Sequence, residues 1–277
     1  MASRFAFDRP RLPAPLVAAA AAAGGRAQQA YAATELARRV ALAREAIPEE
    51  HELGKPRLVR LLGETQVLLE PVRRVRRKLE VAPSANPQIA MILPGFGAHP
   101  VRMSYLAQQL ENAGHVAKRW GLGFNWGPTE QTFDAIEERL LQLHARHGQK
   151  VVLIGWSLGG LYAREIAKRQ PGSVAKVISM GSPFSGSPRA NNVWRAYQFI
   201  TGHSVDAPPI AAELRVKPPV ETVALWSAND GVIAPRCAAG RPGERDRAVP
   251  VRCTHIGFTY DPQVIQTLLA ELETTRG

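Results

Sequence analysis

Apolar residues follow one pattern in the first third of this chain and another in the rest. From Gln88 onward, short apolar runs alternate with stretches whose apolar positions recur every three or four residues. The runs are Ile89–Leu93, His115–Arg119, Val151–Trp156, Ala175–Ser179, Thr222–Trp226 and Val249–Arg252. All six are read as strands, and Val151–Ile154, four apolar residues of which three are β-branched, as a buried one. Residues 100–112, 129–147, 158–170 and 262–275 predict helices. Phe133, Ile136, Leu140 and Leu141 fall at i, i+3, i+7 and i+8, and Val264, Ile265, Leu268, Leu269 and Leu272 are spaced alike. Such spacing puts each set on one helix face. Strand–helix alternation predicts an α/β class fold, a mainly parallel sheet with helices on both faces. One mixed segment, about 185–220, breaks the alternation where a short cap can be inserted. It carries Trp194, Tyr197, Phe199 and Ile200.

Residues 1–84 are rich in Ala, Arg and Glu and poor in aromatics, which sets off a basic helical extension from a domain over 85–277. Ala27 to Ile47 predicts one helix, bearing Tyr31, Leu36, Val40 and Leu42. Pro56 opens a second, as proline suits a first helical turn. Its apolar residues are Leu58, Val59, Leu61, Leu62, Val67, Leu68 and Leu69, and Pro71 should end it. The densest basic run, Arg73-Arg74-Val75-Arg76-Arg77-Lys78, follows, and Ala82–Pro87 reads as a linker. The apolar residues of the second helix admit two expectations. They pack on the larger domain in place of missing strands, the favoured one, or they sit on an anionic membrane beside the cations.

Thirty-five Lys and Arg against 24 Asp and Glu give a formal charge of +11. That balance favours anionic partners, but solvated arginine faces explain it equally well. No nucleic-acid-binding signature accompanies it, so nucleic acid is not expected. Arg4, Arg9 and Arg11 before Leu16, Val17 and the run Ala18–Ala23 resemble a weak signal peptide, but Pro13 and Pro15 interrupt it. The expectation is a cytoplasmic protein, peripheral to the membrane if the basic run engages lipid. Two cysteines, Cys237 and Cys253, make no disulfide framework and are expected as free thiols. His144 and His147 share a helix face, but no carboxylate or cysteine cluster joins them, and neither metal nor cofactor is expected.

The chemistry centres on Gly155-Trp156-Ser157-Leu158-Gly159. A predicted strand enters this segment and a predicted helix leaves it, the setting in which Gly-X-Ser-X-Gly forms a nucleophile elbow. A Cβ at either flanking glycine would clash where helix and strand close together. A serine hydroxyl needs a base in contact and an acid to hold that base. In a parallel sheet both should come from loops after strand C-terminal ends. Asp230 follows the strand ending at Trp226, and His255 follows the strand ending at Arg252. Asp206 and Asp261 are rival acids. Asp206 lies in the cap segment, and Asp261 before Pro262 looks like a helix-start residue. An oxyanion needs two donors. Leu158 N–H is one, and the loop Leu93-Pro94-Gly95-Phe96-Gly97 offers Phe96 N–H as the other. No Lys-Ser/Thr follows these glycines, which excludes a Walker loop. Trp156, Phe124 and Trp126, with Trp194 and Tyr197 from the cap, are candidates to line an apolar substrate pocket; core packing is the competing role for these aromatics.

Residues 88–277 resemble the α/β-hydrolase superfamily, and within it bacterial lipase/esterase-type members with a Pro-Gly-Phe oxyanion loop. The segments that carry the resemblance are Leu93–Phe96, Gly155–Gly160, Gly181–Phe184, Ser227–Ile233 and His255–Gly257. The resemblance implies the hydrolase fold and a Ser157–His255–Asp230 triad. Two departures stand out. The superfamily's usual first two strands have no clear counterpart, so the sheet is expected to begin at Ile89. No His-Gly-Gly-Gly loop is present. The expected activity is hydrolysis of a small-molecule or lipid carboxylic ester with an apolar acyl group, through an acyl-enzyme. Acyl transfer to an alcohol or amine is the alternative on the same fold. A membrane-associated binding protein without turnover is the alternative from another class.

Overall fold

The computed structural model describes residues 30, 34–46, 56–65, 79–207 and 213–275. Its centre is a six-stranded sheet of β1 (Ile89–Leu93), β2 (Val116–Arg119), β3 (Val151–Trp156), β4 (Val174–Met180), β5 (Glu221–Ser227) and β6 (Arg247–Val251). All strands are parallel, in the order β2-β1-β3-β4-β5-β6. The first of these strands is the one predicted at Ile89, so the described sheet is a reduced one.

The helices are α1 (residues 34–43), α2 (Leu58–Glu64), α3 (Ser104–Asn112), α4 (Glu130–His147), α5 (Leu158–Arg169), α6 (Trp194–Thr201), α7 (Pro235–Ala239) and α8 (Pro262–Glu273). Thr129 caps α4 by accepting from Thr132 N–H, and Gly148 closes it in the left-handed region. Asp261 caps α8 through Gln263 N–H, the helix-start role expected of it. Side-chain alternation along the strands builds two cores. Ala90, Ile92, Val152 and Ile154 pack with Leu106 and Leu110 of α3 and Val264, Leu268 and Leu272 of α8. Ile89, Met91, Leu93, Val151 and Leu153 pack with Phe133, Ile136 and Leu140 of α4 and Tyr162 and Ile166 of α5. Both sheet faces are therefore covered at the centre, which is why β1 and β3 read as continuous apolar runs, while the edge strands β2 and β6 are part-exposed.

Several expectations need correction. Leu141 is 40% exposed, and Leu143 takes its place in the core, because the buried stripe continues at i+10 rather than i+8. Arg164 and Glu165, polar positions of α5, are buried. The Arg164 guanidinium lies 4.1 Å over the Phe184 ring and donates to the carbonyls of Leu214, Val216 and Glu244, fastening the segment that returns from the cap. Burial lowers its pKa to about 10. Helices α6 and α7 were not foreseen. On α2, Leu58, Val59 and Leu62 are exposed, while Leu61 packs beside Val232 and Ile233. Packing of the whole apolar set on the domain is thus not what α2 does. Val67 to Pro71 and the run Arg73–Lys78 lie outside the described residues, as does Tyr31 of the first predicted helix. Among the described residues no helix is long and apolar enough to cross a membrane.

The N-terminal helix α1 meets the cap through polar contacts. Arg38 donates to the Gly202 carbonyl, Arg39 to that of Ile200, and Gln198 to that of Leu42. Cys237 and Cys253 are free, as expected; both are also buried, and burial raises both thiol pKa values.

Candidate active site

Strand order reverses between β1 and β3, where open parallel sheets place ligands at the strand C-terminal ends. Ser157 stands there, between β3 and α5. Its φ of 53° and ψ of −121° make it the single non-glycine residue with positive φ among those described. Such backbone costs on the order of 1–3 kcal/mol and persists because its surroundings hold it. Ser157 N–H donates to Met180 O at 2.8 Å, and Gly160 N–H to Ser157 O at 3.0 Å. A Cβ on Gly155 would stand 2.3 Å from Gly159 O, and one on Gly159 would stand 2.3 Å from Leu93 O. Both glycines are therefore demanded by the crossing of α5 over β1 and β3. Ser157 itself is part-exposed and reachable from solvent.

Asp230 and His255 come from the loops after β5 and β6. Asp230 Oδ2 lies 2.8 Å from His255 Nδ1, and both residues are buried. The other carboxylate oxygen, Oδ1, accepts from Val232 N–H and Ile233 N–H, each at 2.8 Å. The acid is thus fixed before it touches the imidazole. Ser227 Oγ donates to Cys253 O at 2.6 Å and accepts from Cys253 N–H, joining the two loops at their roots. Trp156 Nε1–H donates to His255 O at 2.9 Å, with ring centroids 5.5 Å apart, and Phe258 sets its ring edge against the imidazole. The rival acid Asp206 is elsewhere, bonded to Arg189 at 2.7 Å.

On the other side of Ser157, the loop after β1 brings Phe96. Neither Phe96 N–H nor Leu158 N–H has a hydrogen-bond partner among the described residues. The N-terminus of α5 adds its partial positive charge at the same place. The loop is braced by Asn125, a buried residue that sequence reasoning did not single out. Asn125 Nδ2 donates to Pro94 O at 2.8 Å, and its Oδ1 accepts from Tyr162 Oη at 3.0 Å. Gly97 N–H donates to Asn125 O. The signal available in the sequence was an amide residue within an aromatic and glycine-rich loop, which has no periodicity to read.

A cavity of about 880 Å³, counting its open mouth, adjoins Ser157. Phe96, Leu158, Leu161, Trp194, Tyr197 and Ile233 contribute to its wall, so it is largely apolar. Glu165 also lines it and is ion-paired with Lys168. Two of the five predicted substrate-binding residues, Trp194 and Tyr197, therefore face this cavity. Trp156 does not, because its indole is buried against the His255 loop. Phe124 and Trp126 do not either. They stack on each other at 5.2 Å and are 52% and 58% exposed, on either side of Asn125, whose side chain is the one that turns inward. The described residues hold no cluster of three metal-ligating side chains.

The sequence of residues 88–231 matches the model of the alpha/beta hydrolase fold family, and the chain belongs to that family. The match spans Ser157 and Asp230. Among solved structures, the chain is similar to the Bacillus licheniformis lipase BlEst2. The mature form is 13% identical with a TM-score of 0.50, over 70% of this chain and 95% of that one. The propeptide form is 16% identical with a TM-score of 0.53, over 72% of this chain and 53% of that one. A pyrethroid hydrolase, PytH, is similar at 12% identity and a TM-score of 0.49, over 68% and 98% of the two chains. At these identities the likeness is one of fold. No curated protein sequence matches the chain.

Proposed function

We propose that the protein is a serine hydrolase of carboxylic esters whose acyl group is apolar. Ser157 Oγ attacks the ester carbonyl while His255 takes its proton. The oxyanion formed is held by Phe96 N–H and Leu158 N–H. His255 returns the proton to the leaving alcohol, and an acyl-enzyme remains on Ser157. Water, deprotonated by the same imidazole, then releases the acid. Asp230 keeps the proton of the resting imidazole on Nδ1, so that Nε2 is free to accept. The apolar cavity receives the acyl chain.

The observation that carries this reading is the buried Asp230–His255 hydrogen bond of 2.8 Å on the two loops that follow β5 and β6. It pairs an acid with a base on the sheet edge where Ser157 sits in a strained turn. The test is labelling with a fluorophosphonate probe, followed by p-nitrophenyl esters of increasing acyl length. Labelling at Ser157 with ester turnover is expected. An unlabelled, correctly folded protein that leaves every ester intact refutes the proposal.

A further inference from the structure

We propose that Glu64, on the N-terminal helix α2, is a positioning residue that fixes the acid loop and the histidine loop against each other. The inference rests on the reading of Asp230 and His255 given above. Glu64 is only 8% exposed. Its Oε1 accepts from His255 N–H at 2.7 Å and from Gly231 N–H at 3.2 Å. Its Oε2 accepts from Ile256 N–H at 2.9 Å. No cationic side chain among the described residues pairs with it, so three backbone N–H groups from two loops stabilise the buried charge.

The position of these donors is what gives Glu64 its role. Gly231 is the residue after the acid, and His255 is the base itself. The loops are thus tied twice, once side chain to side chain by Asp230 and His255, and once backbone to backbone through Glu64. The first tie sets the imidazole's proton and the second sets where the imidazole's backbone stands. Both matter for a proton transfer that tolerates little displacement.

The docking of α2 is specified from the domain side as well. A Cβ on Gly231 would stand 2.5 Å from Arg60 O and 2.9 Å from Leu61 N, so a glycine is required for the helix to approach the acid loop. Asn192 Nδ2 donates both to Pro56 O, just before α2, and to Gly231 O. A helix held merely for bulk stability would bury its leucines. Here only Leu61 of the three leucines packs on the domain, Leu58 and Leu62 face solvent, and the carboxylate is inserted.

The test uses Glu64→Gln, Glu64→Ala and Gly231→Ala in the full chain. Each variant is checked by circular dichroism to be folded at the assay temperature. Glutamine keeps one oxygen for His255 and Gly231 but turns an amide N–H toward Ile256 N–H. We expect kcat to fall about tenfold in Glu64→Gln and about a hundredfold in Glu64→Ala, with KM within about twofold of wild type. Gly231→Ala, which leaves the glutamate itself unchanged but displaces α2 and loosens the Gly231 N–H bond to it, should reproduce the Glu64→Ala loss. The low-field proton resonance of the His255–Asp230 hydrogen bond should shift or broaden in all three. A purely structural role would lower the melting temperature and leave that resonance and kcat of the folded protein unchanged. That outcome, in Glu64→Gln if Glu64→Ala fails to fold, overturns the proposal. The resonance needs no turnover. An esterase reading that fails through absent labelling is therefore distinguishable from a Glu64 role that fails through an unmoved resonance.

Discussion

Replacing Asp230 by asparagine changes one atom and exposes the logic of the site. Asparagine keeps Oδ1, which accepts from Val232 and Ile233 N–H at 2.8 Å each, so the loop has no reason to move. The atom that faces His255 Nδ1, 2.8 Å away, becomes an amide donor instead of an acceptor. The imidazole then has two choices. It can keep its proton on Nδ1 and lose the hydrogen bond, leaving two buried donors opposed at a cost of about 1–3 kcal/mol. Or it can move the proton to Nε2 and accept from the amide, restoring the bond. The second is cheaper, and it puts a proton on the nitrogen that must take one from Ser157. The expected variant is as stable as wild type to within about 1 kcal/mol and nearly inactive. An amide in place of the triad acid costs about 10⁴-fold in kcat, or roughly 5.5 kcal/mol of barrier.

The assay is kcat on a soluble p-nitrophenyl ester, with thermal melts in parallel. Asp206→Asn is the control. It breaks the Arg189 contact in the cap and leaves the loops after β5 and β6 alone, so kcat should stay within about twofold. If Asp230→Asn keeps kcat within tenfold of wild type, or if Asp206→Asn is the costly change, the acid has been wrongly assigned.

Three further outcomes follow from the geometry. Ser157→Ala should abolish turnover and probe labelling with the melting temperature unchanged, whereas Ser157→Gly should abolish both and add about 1 kcal/mol of stability by relieving the φ of 53°; a less stable glycine variant would show that the backbone is not strained. Leu161→Trp narrows the cavity beside Ser157 and should move the preferred ester to shorter acyl chains, and an unchanged chain-length profile would show that the acyl group binds elsewhere. His115 is buried, and desolvation holds its imidazole below the usual 6.5 while Nδ1 accepts from Gln88 N–H at 3.0 Å. The unfolded chain therefore binds a proton first, so stability from the neutral imidazole is present above pH 6.5 and declines as pH falls toward the lowered folded value. The melting-temperature gap between wild type and His115→Gln should be wider at pH 8 than at pH 5, and a gap independent of pH would refute this.

The middle of the sheet was legible because β1 and β3 are buried on both faces and carry unbroken apolar runs, whereas the edge strands β2 and β6 are part-exposed and polar in places. All six strands are found within a few residues of their expected ends. Helices α4 and α8 were legible by periodicity. What escaped was set by tertiary contact. The eight residues of α6 form a helix inside a segment with no repeating pattern, pinned by Gln198 to Leu42 O and by its neighbour Arg195 to Ala43 O. Nothing local announces that Arg164 is buried, since charge is usually solvated. The segment returning from the cap covers it, and the carbonyls of Leu214, Val216 and Glu244 are the partners that its burial requires. The aromatic loop after β2 had the right composition for a pocket. Which of its side chains face inward is decided by the Asn125 bond to the Pro94 carbonyl, which composition does not encode.

The residues proposed for the chemistry were legible because their order along the chain mirrors their placement at successive strand ends. Their supports were not, for a physical reason. A rigid parallel sheet fixes where each loop begins but not how one loop sits against the next, and the proposed reaction uses three loops at once. Asn125 ties the Phe96 loop by filling the Pro94 carbonyl and accepting from Tyr162. Glu64 ties the Asp230 loop to the His255 loop by accepting from their backbones. Each is a lone polar side chain that holds a main-chain group far away in sequence, Pro94 at 31 residues and His255 at 191. Main-chain N–H and C=O groups are identical at every position, so nothing in the partner's identity announces the contact. Such ties become visible only once the fold has brought a polar side chain to a place where water cannot follow it.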